Sequence, residues 1–167
     1  MNRAVGILSL DLSLRVGWAY GRGFDRPLHG VWALGKTADL GRVFSGFAGE
    51  LESAIAVHSP DLIIMEAPLP PQAQTAAISA RLQFGLAAIC EMIASERGVR
   101  CEEEAAHVVR KLVFGRARVE KETVVQWCRE QGWQPADHND ADALALLRYR
   151  QILARGRVTA GAGSAAA

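Results

Sequence analysis

Three things are scarce in this chain of 167 residues: long apolar runs, cysteines and net charge. No run reaches the roughly 18 consecutive apolar residues that a membrane span needs, and no charged stretch followed by a long apolar one opens the chain. The expectation is a soluble, cytoplasmic protein with no membrane partner. The cysteines number three, Cys90, Cys101 and Cys128, an odd count with no C-x-x-C pair, which argues for a reducing compartment and against a structural zinc site. The formal net charge is +1 and the pI about 7.8, so no global positive field draws nucleic acid, and any such contact must come from a local patch. What is abundant is apolar content, 50% of residues, enough to fill the core of one ordinary domain, which we place at residues 1–155.

The order of elements reads as strands first and helices later. Residues 4–11, 15–20 and 29–34 are short, partly β-branched segments separated by Gly- and Pro-bearing turns, as in an antiparallel meander. Residues 39–58 carry Leu40, Val43, Phe44, Phe47, Leu51 and Ile55 at helical spacing. Residues 61–66 form a continuous apolar run, the pattern of a strand covered on both faces. A long helix is expected over 72–96, a short edge strand over 99–102, and helices over 105–114, 121–131 and 138–154. The Gly/Ala-rich tail, 156–167, has little to bury and is expected to be disordered.

Two carboxylates end apolar runs, Asp11 in Ile7-Leu8-Ser9-Leu10-Asp11 and Glu66 in Leu62-Ile63-Ile64-Met65-Glu66, and a third, Asp142, lies in the last helical segment. If one crossover helix joins the first strand to the 61–66 strand, the two run parallel as neighbours and their C-terminal ends share one edge of the sheet, where open α/β sheets place ligands. Close unpaired carboxylates repel one another unless a cation neutralises them. Three oxygen donors are the ligand set of a hard cation of the magnesium type. Taken singly, Asp11 reads as a turn-initiating aspartate, Glu66 as a strand-end charge and Asp142 as a solvated helix residue; it is their order together that suggests a metal site.

The segment Leu10-Asp11-Leu12-Ser13-Leu14-Arg15-Val16-Gly17-Trp18-Ala19 resembles the first motif of RuvC-type nucleases in the RNase H-like superfamily. Ile63-Ile64-Met65-Glu66 is similar to their second motif, and Asp140-Ala141-Asp142-Ala143-Leu144-Ala145 to their C-terminal helix. Residues 110–122 resemble the basic segment that precedes a helix in Holliday junction resolvases. The resemblance runs from about Ala4 to Leu153 and implies a mixed five-stranded α/β sheet, three antiparallel strands and then two parallel, flanked by helices. Its divergence suggests a phage-type member. It further implies a homodimer acting on branched DNA, foremost the four-way junction, by paired phosphodiester hydrolysis. Two Mg²⁺ ions per site, replaceable by Mn²⁺, would be held about 4 Å apart, with Asp11 between them and Glu66 and Asp142 completing their shells.

A fourth site residue is taken to be His138, four residues before Asp142 and so on the same helical face; Asp137, Asn139 and Asp140 are alternatives, Asp137 also as the helix N-cap. The register three before Asp142 holds Asn139, where the acidic version of the family has a second aspartate. Arg110, Lys111, Arg116, Arg118 and Lys121 form a basic stripe for DNA phosphates, with Gly115 permitting the turn that presents it. After Glu66, junction resolvases carry an aromatic residue, whereas this chain has Ala67-Pro68-Leu69-Pro70-Pro71. A flap, an RNA/DNA hybrid, or a binding module that has lost hydrolysis are the other readings kept. The two-domain ATPases that share this sheet need a second domain for which 167 residues leave no room.

Overall fold

The strand Gly6–Asp11 (β1) has both faces covered: Ile7, Leu8, Ser9 and Leu10 are all fully or almost fully buried. Such a strand must lie inside a sheet, and in the computed structural model it is the centre of five. The structure describes residues 3–73 and 76–163, the side chains of 71 and 157–163 excepted. Arg15–Arg22 (β2) and Leu28–Ala33 (β3) extend the sheet antiparallel on one side of β1; Leu62–Glu66 (β4) and Arg100–Glu104 (β5) extend it parallel on the other. The order is β3-β2-β1-β4-β5, the mixed sheet expected from the sequence.

Helices cover both faces. Leu40–His58 (α1) and Ala77–Glu96 (α2) pack on the side reached by Leu8, Leu10, Ile63 and Met65. The face of α1 is set by Val43, Phe47, Leu51 and Ile55 at four-residue spacing, all buried; at about 1.5–3 kcal/mol per large side chain, this burial anchors the helix far better than its own propensity. Asp39 caps its first turn by accepting from the Arg42 backbone N–H, and Ser59, at φ +46, ends it by donating to the Ile55 carbonyl. Opposite lie Ala106–Phe114 (α3), Lys121–Glu130 (α4) and His138–Gly163 (α5), packed on Ile7, Leu62, Ile64 and Ala19.

Some boundaries differ from the sequence expectation. Residues 71–73 form one 3₁₀ turn, and α2 begins only at Ala77, where its buried positions Leu82, Leu86, Cys90 and Ile93 come into register. β5 ends at Glu104, two residues late, because it pairs with β4 through Glu66. The last helix continues to Gly163, where composition alone predicts an irregular tail; extending a packed helix costs no new nucleus. Residues 164–167 of that tail lie outside the described residues. Helix α2 is also, among the described residues, a helix of the length and mean hydropathy of a membrane span, 20 residues at 1.4. Here its inner face is core, packed against α1 and β5.

Candidate metal centre and nucleic-acid interface

Leu10 of β1 pairs with Met65 of β4 in a parallel register, so the next residues, Asp11 and Glu66, end adjacent strands side by side. The alternation of a strand puts Asp11 on the same face as Ile7 and Ser9, toward α5. A cavity of about 20 Å³ lies between Asp11, Leu12, Glu66, Ala67, Pro68 and Gln83, room for roughly one water-sized occupant. The stiff proline loop after Glu66 thus forms one wall of it.

Asp142 arrives on α5, whose first turns are pinned to the β1–β2 end of the sheet. Ser9 Oγ lies 2.7 Å from the Ala143 carbonyl and 3.1 Å from that of Ala19, so one buried hydroxyl bridges three elements. Asp137 caps the helix: its Oδ1 accepts from the backbone N–H groups of Asn139 and Asp140, and its Oδ2 pairs with Arg15 at 2.9 Å. Asn139 Nδ2 donates to the Arg15 carbonyl at 2.8 Å and to Ser13 Oγ at 3.3 Å. Asp140, 1% exposed, sits with both carboxylate oxygens 3.0 Å from His29 Nδ1 and accepts from the Ala136 N–H.

These contacts sort the alternatives for the fourth position. Asp137, Asn139 and Asp140 all have structural partners. His138 keeps a buried Nδ1 with no hydrogen-bond partner, while its Nε2 stands 3.8 Å from Glu122. A buried ring nitrogen left unpaired is costly, and of the four candidates His138 alone has one.

The electrostatics of the three acids are those of a site short of positive charge. Burial pushes the Asp11 carboxyl well above its ordinary range, and the charges of Glu66 and Asp142 push it further; Lys121 opposes them. Burial and Asp142 raise Glu66 to about 7, against the pull of Arg110 and Lys121. Asp142 is raised by burial, with Arg110, Lys121 and His138 holding it down. Burial would also raise Asp137, but its two backbone hydrogen bonds and Arg15 more than offset that and leave it low, as befits a cap. Among the described residues no three His, Cys, Asp or Glu side chains are drawn close enough to enclose an ion. As a donor set the acids fit a hard divalent cation: three carboxylates raised in pKa by burial, Asp11 and Glu66 also by neighbouring acids, with the His138 ring close enough to Asp142 to act on it.

The basic stripe divides. Arg110 on α3 turns inward, 3.7 Å from Asp142, and Lys121 at the start of α4 acts on all three acids. Lys111, Arg116 and Arg118 are exposed. Gly115, at φ +76, ends α3 in the left-handed conformation and donates to the Lys111 carbonyl, which turns the chain between the exposed cations. Sequence reasoning missed Ser9, His29 and Gln83. Ser9 alone carried a signal, a hydroxyl in the middle of a strand otherwise wholly apolar.

No protein-family model matches the chain, and no curated protein does either. Solved structures do. A RuvC structure from Thermus thermophilus superposes with a TM-score of 0.66 at 16% identity, covering 92% of this chain and 96% of that one. The fold is that of the RuvC-type resolvases. The T. thermophilus RuvC in complex with a Holliday junction substrate superposes with a TM-score of 0.71 at 16% identity, covering 84% and 89%. Yeast mitochondrial Holliday junction resolvase Ydc2 gives 0.59 at 11% identity, covering 90% and 80%. At such identities the RuvC-like likeness is one of fold; the chemistry rests on the site itself.

Proposed function

We propose that this protein is a divalent-metal-dependent, structure-selective endodeoxyribonuclease that resolves four-way DNA junctions by paired hydrolysis of phosphodiester bonds. The observation that carries the reading is the meeting of Asp11, Glu66 and Asp142 at one sheet edge, each raised above its ordinary pKa by burial and, for Asp11 and Glu66, by its neighbours. The RuvC-like fold, and the junction DNA bound by one neighbour of that fold, support the choice of substrate.

Asp11, Glu66 and Asp142 would hold the metal through carboxylate oxygens, and His138 through a ring nitrogen. Two Mg²⁺ ions, or Mn²⁺ in their place, would supply an activated water and charge stabilisation at the leaving 3′ oxygen. The chain's own residues do the rest. The strand ends position Asp11 and Glu66, and the pinned first turns of α5 position Asp142. Arg110 and Lys121 lend positive charge where a phosphate must approach three acids. Lys111, Arg116 and Arg118 neutralise backbone phosphates and position the duplex without reading its bases.

Paired nicks need two sites, and we assign the second to a homodimer. Ile78, Phe84 and Met92, all on α2, are 39%, 44% and 52% exposed and offer an apolar outer face for it. A cytoplasmic location belongs to the same reading. One observation favours the competing reading of a binding module without hydrolysis: Asn139 stands where the acidic version of the motif has a carboxylate, and its amide is tied to Ser13 and Arg15. A labelled four-way junction, a matched duplex, a flap and an RNA/DNA hybrid, each incubated with the protein and Mg²⁺ or Mn²⁺, separate these. Paired nicks near the crossover are expected. Cleavage of another substrate alone overturns the junction assignment, and tight binding with no cleavage of any overturns the nuclease.

A further inference from the structure

Cys90 and Cys101 face each other away from the carboxylate edge. Cys90 lies on the inner face of α2 and is fully buried; Cys101 lies on β5, the last strand of the sheet, and is only partly covered. Their sulfurs are 3.9 Å apart, within hydrogen-bond range for sulfur. The third cysteine, Cys128, is buried on α4 with its Sγ 3.8 Å from the Ala141 carbonyl, on the opposite face of the sheet. The chain therefore holds one close thiol pair, asymmetric in its access to solvent, and one remote thiol.

We propose that Cys101 and Cys90 form a peroxide-reactive site, in which Cys101 is oxidised first and Cys90 resolves it to an intramolecular disulfide that fastens α2 to β5. The co-reactant is a hydroperoxide, hydrogen peroxide in the simplest case. The Cys101 thiolate attacks one peroxide oxygen; the O–O bond breaks, the departing hydroxide takes up a proton as water, and Cys101 is left as a sulfenic acid. The Cys90 sulfur then attacks the Cys101 sulfur. The S–O bond breaks as the S–S bond forms, and the oxygen leaves as a second water with the Cys90 proton. Two thiols lose two hydrogens and two electrons, and one peroxide becomes two waters.

The division of labour follows from the geometry. Only Cys101 is reached from outside, since an edge strand has no further strand beside it. Either sulfur can donate across this contact, and a hydrogen bond from Cys90 favours the thiolate at Cys101; burial and the charges of Glu91, Glu103 and Glu102 work against it, and the net shift of Cys101 is downward. The same hydrogen bond and burial hold Cys90 as the thiol, its pKa pushed far up. Cys128 is raised to about 12 by burial and by Asp140 and Asp142, which makes it an inert internal control. A disulfide needs an S–S separation of about 2.05 Å, so the sulfurs must close by about 2 Å. Strand β5, paired on one side only, is the element able to yield.

The test is thiol counting on the full chain. Protein in EDTA is treated with increasing hydrogen peroxide, quenched, unfolded, labelled with N-ethylmaleimide and weighed intact. The expected product carries one label, on Cys128, with Cys90 and Cys101 joined in one peptide after digestion; dithiothreitol restores three labels. In Cys90→Ser the sulfenic acid has no resolving partner, and dimedone should mark Cys101 alone. Three labels at peroxide levels that oxidise free cysteine would overturn the proposal. So would Cys101 passing to the sulfinic acid without a link in the wild type, or a link between two chains. If Cys90→Ser fails to fold, the wild-type label count still decides.

Discussion

A β-carbon placed on Gly17 would stand 1.9 Å from the carbonyl oxygen of Asn139 and 2.7 Å from the backbone nitrogen of Asp140. Gly17 pairs with Asp11 across β1 and β2. The first turn of α5 therefore rests on the backbone of the residue opposite the central carboxylate, three residues before Asp142. The obstacle to any side chain there is main chain, which cannot rotate aside. Gly17→Ala should push α5 off the sheet, cost at least about 1–3 kcal/mol of stability and abolish cleavage even where the protein still folds. Thermal unfolding and a junction-cleavage assay check both; a variant with wild-type activity would show that the approach of α5 to β2 does not position the site.

The raised carboxyls make the metal-free protein sensitive to alkaline conditions. Glu66 has its pKa raised from 4.5 to about 7 in the fold. The fold thus favours its protonated form; that stabilisation is complete below the unfolded pKa and is lost as pH climbs through about 7. In EDTA, stability should fall between about pH 5 and 8, and Glu66→Gln should remove part of the fall, a gain of the order of 1–2 kcal/mol at pH 8 after allowance for partial solvent access. Mg²⁺ should reverse the wild-type loss and leave the variant less affected, because a ligand that binds only the folded state stabilises it by mass action. Thermal melts across pH, with and without Mg²⁺, measure this directly.

The two halves of the basic stripe should separate under salt. Lys111→Ala, Arg116→Ala and Arg118→Ala should each weaken junction binding similarly for all sequences, and each should lower the slope of log K against log salt by about 1. Arg110→Ala should behave differently. Its guanidinium is engaged with Asp142 at 3.7 Å, so its loss leaves Asp142 and Glu66 less compensated and makes both harder to ionise in the metal-free site. Fluorescence anisotropy over a salt series, in Ca²⁺ to suppress cleavage, distinguishes the two behaviours.

Much of this architecture was legible in the residues because the governing patterns are local. The continuous apolar runs ending at Asp11 and Glu66 announce strands buried on both faces, and one intervening helix makes them parallel neighbours. The period of Val43, Phe47 and Leu51 defines α1 in the same way. What could not be read depends on contacts between residues far apart in the sequence. Gly17 reads only as a glycine within the 15–20 strand, yet it serves a close approach of main chains. His29 carries no pattern of its own; its meaning lies in Asp140, 111 positions later. Arg110 and Arg116 look equivalent in a basic segment, and only the packing of α3 against α5 turns the first toward Asp142 and leaves the second exposed.

The most direct test of the central claim is single-turnover cleavage of a labelled four-way junction by wild type and Asp11→Asn in Mg²⁺, with junction binding measured in parallel. Asn is nearly isosteric with Asp, so fold and binding should persist while cleavage drops by at least about a thousandfold, as expected when a group that holds charge for the transition state is lost. Cleavage by Asp11→Asn at a rate near that of the wild type would contradict the account, since no metal centre built on that strand end would then be carrying the chemistry.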